Sequence, residues 1–323
     1  KYVLKARKSK LGFNIKILIE TGEEMGSPGL REFCSQNKDI LKANVLIASD
    51  GPRLKIERPT IFMGSRGVFN FTMKVNLRKG GHHSGNWGGL LSNPGIILAH
   101  AISSIVSSSG EIKVPGLKPK TIPESIKNVL KKINIVENDD GPFIDHNWGE
   151  KGLSLEEKVF AWNTLEVLSF KTGNPNNPMH AIPPEATAHC HIRYVVPSNP
   201  KTFRKAIRNF LDKKGFEIVK IEPTRGFMSA TRLDPEHPWA KWSINSLRKT
   251  LGVEVDVLPN LGGTLPNDVF AEILNLPTIW IPHSYPSCSQ HAPNEHILES
   301  ITKSALKIMA GIFWDLGEPD TPK

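Results

Sequence analysis

Two apolar segments near the start of the chain are separated by a helical pattern. Phe13 to Ile19 alternates and then runs apolar, and Asn44 to Ala48 is a short apolar run, so both predict strands. Between them, Pro28 to Asn37 has the spacing of an amphipathic helix. This order predicts a βαβ unit. In such open sheets the residues just past the strand ends face the ligand crevice, and here they are acidic: Glu20, Glu23, Glu24 and Asp50.

A second pattern begins near Gly64 and indicates an antiparallel sheet with helices. The predicted strands are Arg66 to Leu77, Ala186 to Val196 and Phe216 to Ile221, and the predicted helices are Pro94 to Ser107 and Thr202 to Lys214. Residues 113–180 are rich in Pro, Gly and Asn and contain one helical stretch, Ser154 to Leu165. We interpret that region as an elaborated loop.

The α/β pattern returns after about residue 231. The predicted elements are a helix at Pro238 to Leu251, a strand at Glu254 to Leu258, a helix at Asp268 to Leu274, a strand at Thr278 to Pro282 and a helix from Glu295 to Leu316. The fold class is therefore α/β, with one domain made of residues 1–64 and 231–323. An α+β domain of residues 65–230 is inserted into it.

Composition and charge narrow the class of protein. The 323 residues are 39% hydrophobic, enough for roughly two domains, and no apolar run is long enough to span a membrane. The net charge of +9 allows a nucleic-acid-binding protein, but the basic residues are scattered, which favours a solvated basic surface and no nucleic-acid partner. The three cysteines, Cys34, Cys190 and Cys288, form no CxxC pair, which fits a reduced, cytoplasmic setting.

Adjacent carboxylates stand in the segment GEEMGSPG, at Glu23 and Glu24. An isolated pair of this kind is usually a solvated loop. In a crevice, however, desolvation and like charge both raise carboxylate pKa values, so the pair would need a cation to ionise together. One glutamate would then bind metal while the other acts as a base.

Two further candidate ligands lie at strand ends and helix starts. Asp50 ends the apolar strand in LIASDG, where it either caps a turn or holds a metal. His291, in QHAPNEH, lies between a loop and a helix, where it is either a surface histidine or a ligand. Glu, Asp and His together suit zinc, with manganese or cobalt as alternatives.

Paired histidines occupy the glycine-rich segment GGHHSGNWGG, directly after a strand. Glycines on both sides of His82 and His83 let backbone approach a ligand closely. A solvent-exposed turn is the other interpretation of this segment.

The ordered set GEEMGSPG, LIASDG, GGHHSGNWGG, LGGTLPND and QHAPNEH resembles the co-catalytic zinc peptidase and deacylase family, which includes aminoacylases, carboxypeptidase G, succinyl-diaminopimelate desuccinylase and carnosinase-like dipeptidases. The resemblance runs from about Lys10 to Leu316. It implies a catalytic domain in residues 1–64 and 231–323 and a lid and dimerisation domain in residues 65–230. It also implies a homodimer and hydrolysis of a dipeptide or N-acyl amino acid that carries a free carboxylate.

The resemblance implies roles for the catalytic centre. Glu23 matches the general base, Glu24, Asp50 and His291 match ligands of a pair of Zn²⁺ ions, and His83 matches the histidine that reaches across the dimer to the oxyanion.

Other matched residues bind substrate. Arg193 matches the arginine that binds a substrate carboxylate, which its planar guanidinium suits. His180 stands where some members have a substrate-contacting Asn. Gly263 and Thr264 match the turn that lines the substrate site.

The chain departs from the family at its start. Members carry a His-x-Asp ligand and a bridging Asp upstream of the Glu-Glu pair, and Lys1 to Glu20 supplies neither. We therefore expect the natural polypeptide to be longer by about a hundred residues. The alternative is an inactive, metal-poor relative that acts as a dimeric binding protein.

Overall fold

The computed structural model describes residues 1–135, 143–224 and 228–323. The strands are β1 Leu46–Ala48, β2 Thr60–Phe62, β3 Gly64–Ser65, β4 Gly67–Asn76, β5 His82–His83, β6 Thr164–Thr172, β7 Ala181–Ile182, β8 Glu185–Tyr194, β9 Lys220–Pro223, β10 Thr231–Arg232, β11 Asp256–Leu258 and β12 Thr278–Trp280. The α-helices are α1 Tyr2–Ala6, α2 Leu30–Gln36, α3 Lys38–Leu41, α4 Ser84–Trp87, α5 Pro94–Ile105, α6 Glu124–Leu130, α7 Leu155–Phe160, α8 Phe203–Lys213, α9 Pro238–Leu251 and α10 Glu299–Asp315. None of these described helices is both long and apolar enough to cross a membrane.

The chain divides into two compact units. The terminal unit consists of Lys1–Arg66, Ile122–Ile144 and Thr231–Lys323, and the inner unit consists of Gly67–Thr121 and Asp145–Ala230. The segment Ile122–Ile144 thus groups with the terminal unit, whereas the sequence pattern put it inside the insertion of residues 65–230.

The terminal unit is built on a small mixed sheet in the order β1-β12-β2-β11. β1 runs parallel to β12 and β11 runs parallel to β2, while β12 meets β2 in antiparallel fashion. α9 begins at a Pro in its first turn, with His237 capping Trp239 N–H, and it ends at left-handed Gly252. Its apolar face and that of α10 pack with the strands in one core: Ile61, Met63, Trp239, Ala240, Trp242, Leu247, Val255, Ile279, Ile281, Ile308 and Ile312.

The strand predicted at Phe13 to Ile19 is wrong. The structure has no strand there, and the side chains of Ile17 and Ile19 are each 81% exposed. Alternation alone does not make a strand, because the backbone N–H and C=O groups need a neighbouring strand to pair with. In the part of the chain that is described, β1 pairs with β12 and not with this segment.

The inner unit is an antiparallel sheet in the order β6-β8-β4-β9, packed by α5 and α8. β4 and β8 pair along ten residues each, from Gly67 opposite Tyr194 to Asn76 opposite Glu185. Alternate β8 residues are buried, as expected for a sheet with one face on a core. That core contains Phe69, Phe71, Met73, Val75, Leu98, Ala101, Ile105, Ile112, Val114, Leu117, Leu165, Ala186, Ala188, Cys190, Ile192, Tyr194, Phe203, Ile207, Leu211, Val219 and Ile221.

The interpretation of residues 113–180 as an elaborated loop is also wrong. β6 runs through Thr164–Thr172 and pairs with β8, and α6 lies earlier in the same stretch. The helix predicted over Ser154 to Leu165 covers only Leu155–Phe160. It begins with a capping box formed by Ser154 and Glu157. The last two residues of that prediction, Thr164 and Leu165, instead begin β6, where pairing with β8 overrides the helical pattern.

Most other predicted elements are confirmed within a few residues. Two differ more: the strand predicted at Phe216 to Ile221 runs over Lys220–Pro223, and the helix predicted at Asp268 to Leu274 is a single π-helical turn at Val269–Ile273.

Candidate active site

The Glu-Glu segment forms a tight turn in the terminal unit. A 3₁₀ turn covers Glu23–Met25 and ends at Gly26, whose φ of 80° is left-handed. Before it, Glu20 Oε1 accepts a hydrogen bond of 2.8 Å from Gly22 N. Ser27 N closes the turn on Gly22 O at 2.9 Å. These local hydrogen bonds therefore fix the backbone from which the two glutamate side chains project.

Glu24 lies against His291, although 267 residues separate them in the sequence. Glu24 Oε1 and His291 Nε2 are 3.1 Å apart, and the two side chains are 71% and 64% exposed. Two ligands of one tetrahedral zinc, each about 2.0 to 2.1 Å from the metal, lie roughly 3.3 Å apart. The spacing of these two donor atoms therefore matches that of two ligands on a shared metal.

Glu23 sits among other acids and is half-buried. Burial raises the pKa of Glu23 above its ordinary value, and the charges of Asp50, Glu24 and Glu20 raise it further, while His291 lowers it. A carboxylate whose pKa is raised holds a proton more readily, which is what a general base that must later return the proton needs.

The loop that presents His291 is strained. Ser289, His291 and Asn294 all have φ near +60°, a region that residues other than Gly rarely adopt. The loop is anchored at His296, whose Nε2 lies 2.7 Å from the hydroxyl of Tyr285 and whose Nδ1 lies 2.9 Å from Asn294 O. Tyr285 belongs to a small core with Cys288 and Ile301. Strain that a local core maintains is typical of functional loops.

Asp50 follows β1 and accepts a hydrogen bond of 2.5 Å from Gly51 N. Its charge acts on Glu23, so it lies in the same neighbourhood. Yet within residues 1–135, 143–224 and 228–323 no group of three or more His, Cys, Asp or Glu side chains stands close enough to hold a metal ion. The donor types fit zinc and the Glu24–His291 pair fits its spacing, but Glu24, Asp50 and His291 do not close into one site.

The Gly263–Thr264 turn is held from both ends. Arg66 N donates to Leu261 O and to Gly263 O, at 3.2 and 3.1 Å. Just beyond the turn, the buried Asn267 amide donates to the hydroxyls of Thr231 and Thr278 and accepts from Trp280 Nε1. Sequence reasoning missed Asn267, although its place two residues after the LGGTL turn was a usable signal.

The remaining predicted residues lie in the inner unit. His83 is exposed on β5. Its ring lies so close to Gly85 that a Cβ added at position 85 would be 2.9 Å from the ring. The His180 side chain is exposed, and its carbonyl accepts from Ser84 N at 2.9 Å. Arg193 is half-buried on β8, and burial lowers its pKa below the ordinary value.

Comparison with known proteins finds similarity to peptidases. The peptidase dimerisation domain of the M20 family matches residues 63–219. Human β-Ala-His dipeptidase is 25% identical over 97% of this chain and 64% of its own length. The Cys-Gly metallodipeptidase of Saccharomyces cerevisiae is 22% identical over 95% of this chain and 66% of its own length.

Solved structures of peptidases share the fold. An M20 family metallo-carboxypeptidase from Sulfolobus solfataricus superposes with a TM-score of 0.74 at 25% identity, over 91% of this chain and 68% of that one. Human carnosine dipeptidase 1 superposes with a TM-score of 0.75 at 24% identity, over 97% of this chain and 68% of that one. The predicted fold class and the resemblance to the zinc peptidase family are confirmed. The chain spans 64% of the length of the human dipeptidase and 66% of the length of the yeast metallodipeptidase, slightly less than two thirds of each.

Proposed function

We propose that this homologue of the M20 family metallopeptidases, which carries their dimerisation domain, is a metal-dependent hydrolase. Its substrate would be a dipeptide or an N-acyl amino acid with a free carboxylate. The observation that carries the proposal is the Glu24–His291 pair at ligand spacing, beside a Glu23 whose pKa is raised. The curated relatives that share most of this chain include a β-Ala-His dipeptidase and a Cys-Gly metallodipeptidase.

Glu24, Asp50 and His291 would hold the metal. Zn²⁺ is the ion that best suits this donor set, two per subunit by resemblance, and Mn²⁺ or Co²⁺ are alternatives. When bound, the metal supplies a water of lowered pKa and polarises the scissile carbonyl.

The chain's own groups would handle protons and substrate. Glu23 accepts the proton of the attacking water and returns it to the leaving amine. His83, contributed by a second subunit, donates to the tetrahedral oxyanion. Arg193 binds the substrate carboxylate as a planar fork.

Two other groups would orient the substrate. The backbone of Gly263 and Thr264 lines the site, and His180 contacts the substrate beside it.

A homodimer is part of the proposal. The inner unit exposes apolar side chains on its edge strand β6, with Leu168 60% and Phe170 43% exposed, and Ile96 of α5 is 60% exposed. An open edge strand with apolar side chains favours pairing with another strand. A cytoplasmic location, with neither membrane nor nucleic acid as partner, belongs to the same proposal. Light scattering on the parent and on Leu168→Glu tests the dimer, and a parent that runs as a monomer would contradict it.

The test of function is turnover of dipeptides and N-acetyl amino acids by the full product of the gene, before and after chelation. We expect hydrolysis that chelation abolishes and Zn²⁺ restores. Hydrolysis that survives complete metal removal contradicts the proposed reaction. Folded protein that takes up no metal and turns over none of these substrates would instead support the inactive, metal-poor dimeric relative, which the dipeptidase names of the relatives do not favour.

A further inference from the structure

Arg53 is a fully buried arginine with no acidic partner among the described residues. Only 2% of the residue is exposed. Its Nε donates to Pro282 O at 3.1 Å, while its Nη2 is shielded from solvent and has no hydrogen-bond partner. A buried guanidinium with an unused donor is costly unless an anion pairs with it. Among the described residues, Arg53 Nη2 is therefore a buried donor of a charged group without an acceptor.

His283 adds a second unsatisfied group beside Arg53. Both of its ring nitrogens, Nδ1 and Nε2, are shielded and have no partner. Burial, and then the charge of Arg53, lower the pKa of His283 to about 4. His283 is consequently neutral at ordinary pH, so it offers one N–H donor and adds no charge of its own.

The backbone holds these two side chains together at one end of the sheet. Pro52 and Ser284 form a parallel bridge, and Arg53 N donates to Ser284 O at 2.9 Å. Ser284 Oγ also donates to Gly51 O at 2.9 Å. Both segments follow the carboxyl ends of the parallel strands β1 and β12, which is where open α/β sheets bind ligands.

We propose that Arg53 and His283 form a niche that binds one carboxylate group. A planar guanidinium matches a carboxylate in two parallel hydrogen bonds, and the imidazole N–H supplies a third donor. The single positive charge of Arg53 balances a monovalent carboxylate, whereas a phosphate dianion would leave buried charge uncompensated. Carboxylate binding by the niche requires neither bound metal nor turnover. Its test is therefore independent of the test of the proposed hydrolase function.

The test is thermal unfolding of the metal-free chain with acetate replacing chloride at constant ionic strength, and with phosphate as a second anion. We expect a saturable rise of the melting temperature with acetate only. Arg53→Gln and His283→Gln should weaken the apparent acetate affinity about tenfold or more. Arg7→Gln is the matched control, because Arg7 has acceptors within the chain at Trp314, Gly317 and Glu318. If Arg53→Gln does not fold, Arg53→Lys, which keeps the charge and loses the fork, replaces it.

We propose that the carboxylate belongs to a small molecule, and glycylglycine serves as a second probe because it carries one free carboxylate. If glycylglycine raises the melting temperature of the parent more than that of Arg53→Gln, the niche accepts a ligand carboxylate. The proposal is overturned if acetate acts no better than chloride or phosphate, or if the Arg53 and His283 variants respond like the parent.

Discussion

The two units of this protein use strands of very different length for different purposes. In the inner unit β4 and β8 are ten residues long and pair along their whole length over a continuous core. In the terminal unit β1, β2, β11 and β12 have three residues each. Asp50 and His291 lie in the loops that follow β1 and β12, and Glu23 and Glu24 lie in a turn that precedes β1. In the inner unit the long paired strands hold the fold together. In the terminal unit the short strands instead hold the loops that carry candidate site residues.

Removal of the His291 side chain should have the largest effect of the predicted changes. The effect is a loss of zinc affinity, and it should arise from the terminal unit alone. His291→Ala takes away one of the two donors that stand at ligand spacing, so we expect zinc affinity of the full gene product to fall by about a hundredfold or more. Calorimetric titration with Zn²⁺ measures this change. His100, an exposed histidine of α5 in the inner unit, provides the control. Equal losses in His291→Ala and His100→Ala would remove His291 from the metal site.

A cavity made in the core of the inner unit should destabilise that unit and leave the stability of the terminal unit unchanged. Leu98 is fully buried, so Leu98→Ala should lower the free energy of unfolding by about 3 kcal/mol. Ile96→Ala on the same helix, at a side chain that is 60% exposed, should change it little. Hydrogen exchange during urea unfolding reports each unit separately. A loss of protection in the terminal unit as large as that in the inner unit would show that the units do not unfold independently.

The acid sensitivity of the terminal unit should depend on His283. Its folded pKa of about 4 lies below the ordinary 6.5, so between these values the unfolded state binds more protons than the folded state. The free energy of unfolding should therefore fall as pH drops from about 6.5 to about 4, by at most about 1.4 kcal/mol per pH unit from this group. His283→Gln should flatten that limb in a pH series of urea melts, whereas His100→Gln should leave it unchanged. A parent whose stability is constant over this range would contradict the lowered pKa.

The smallest predicted effect concerns a helix cap in the inner unit. Ser154 and Glu157 form a capping box at the start of α7, so Ser154→Ala should destabilise the inner unit by about 1 kcal/mol. Urea denaturation followed by exchange of inner-unit amides measures it. Ser103→Ala, which removes an exposed hydroxyl bonded within α5, is the control and should have a smaller effect. If the two variants lose the same stability, the cap makes no special contribution.

The same difference between the units explains what the sequence could predict. β4 and β8 were predicted nearly to the residue, because alternation over ten positions leaves one arrangement that buries the apolar face. Phe13 to Ile19 has a similar pattern but no paired neighbour, and the pattern cannot show whether a partner strand exists. β6 was missed because its alternation lies within a stretch dominated by Pro, Gly and Asn.

For the candidate site, the order of motifs identified the chemical groups but not their geometry. The Glu24–His291 contact joins positions 267 residues apart, which only the fold can bring together. Arg53 and His283 gave no signal as single residues, because their significance lies in burial without a partner. The Asn267 network likewise depends on side chains from three separate segments.

The central claim is that adjacent glutamates have opposite duties, Glu23 as base and Glu24 as ligand. The direct test measures zinc content and dipeptide turnover together in Glu23→Gln and Glu24→Gln of the full gene product. We predict that Glu23→Gln keeps its zinc and loses turnover by about a hundredfold or more, whereas Glu24→Gln loses zinc affinity as well. Glu23→Gln with turnover within a few fold of the parent and unchanged zinc would contradict the claim.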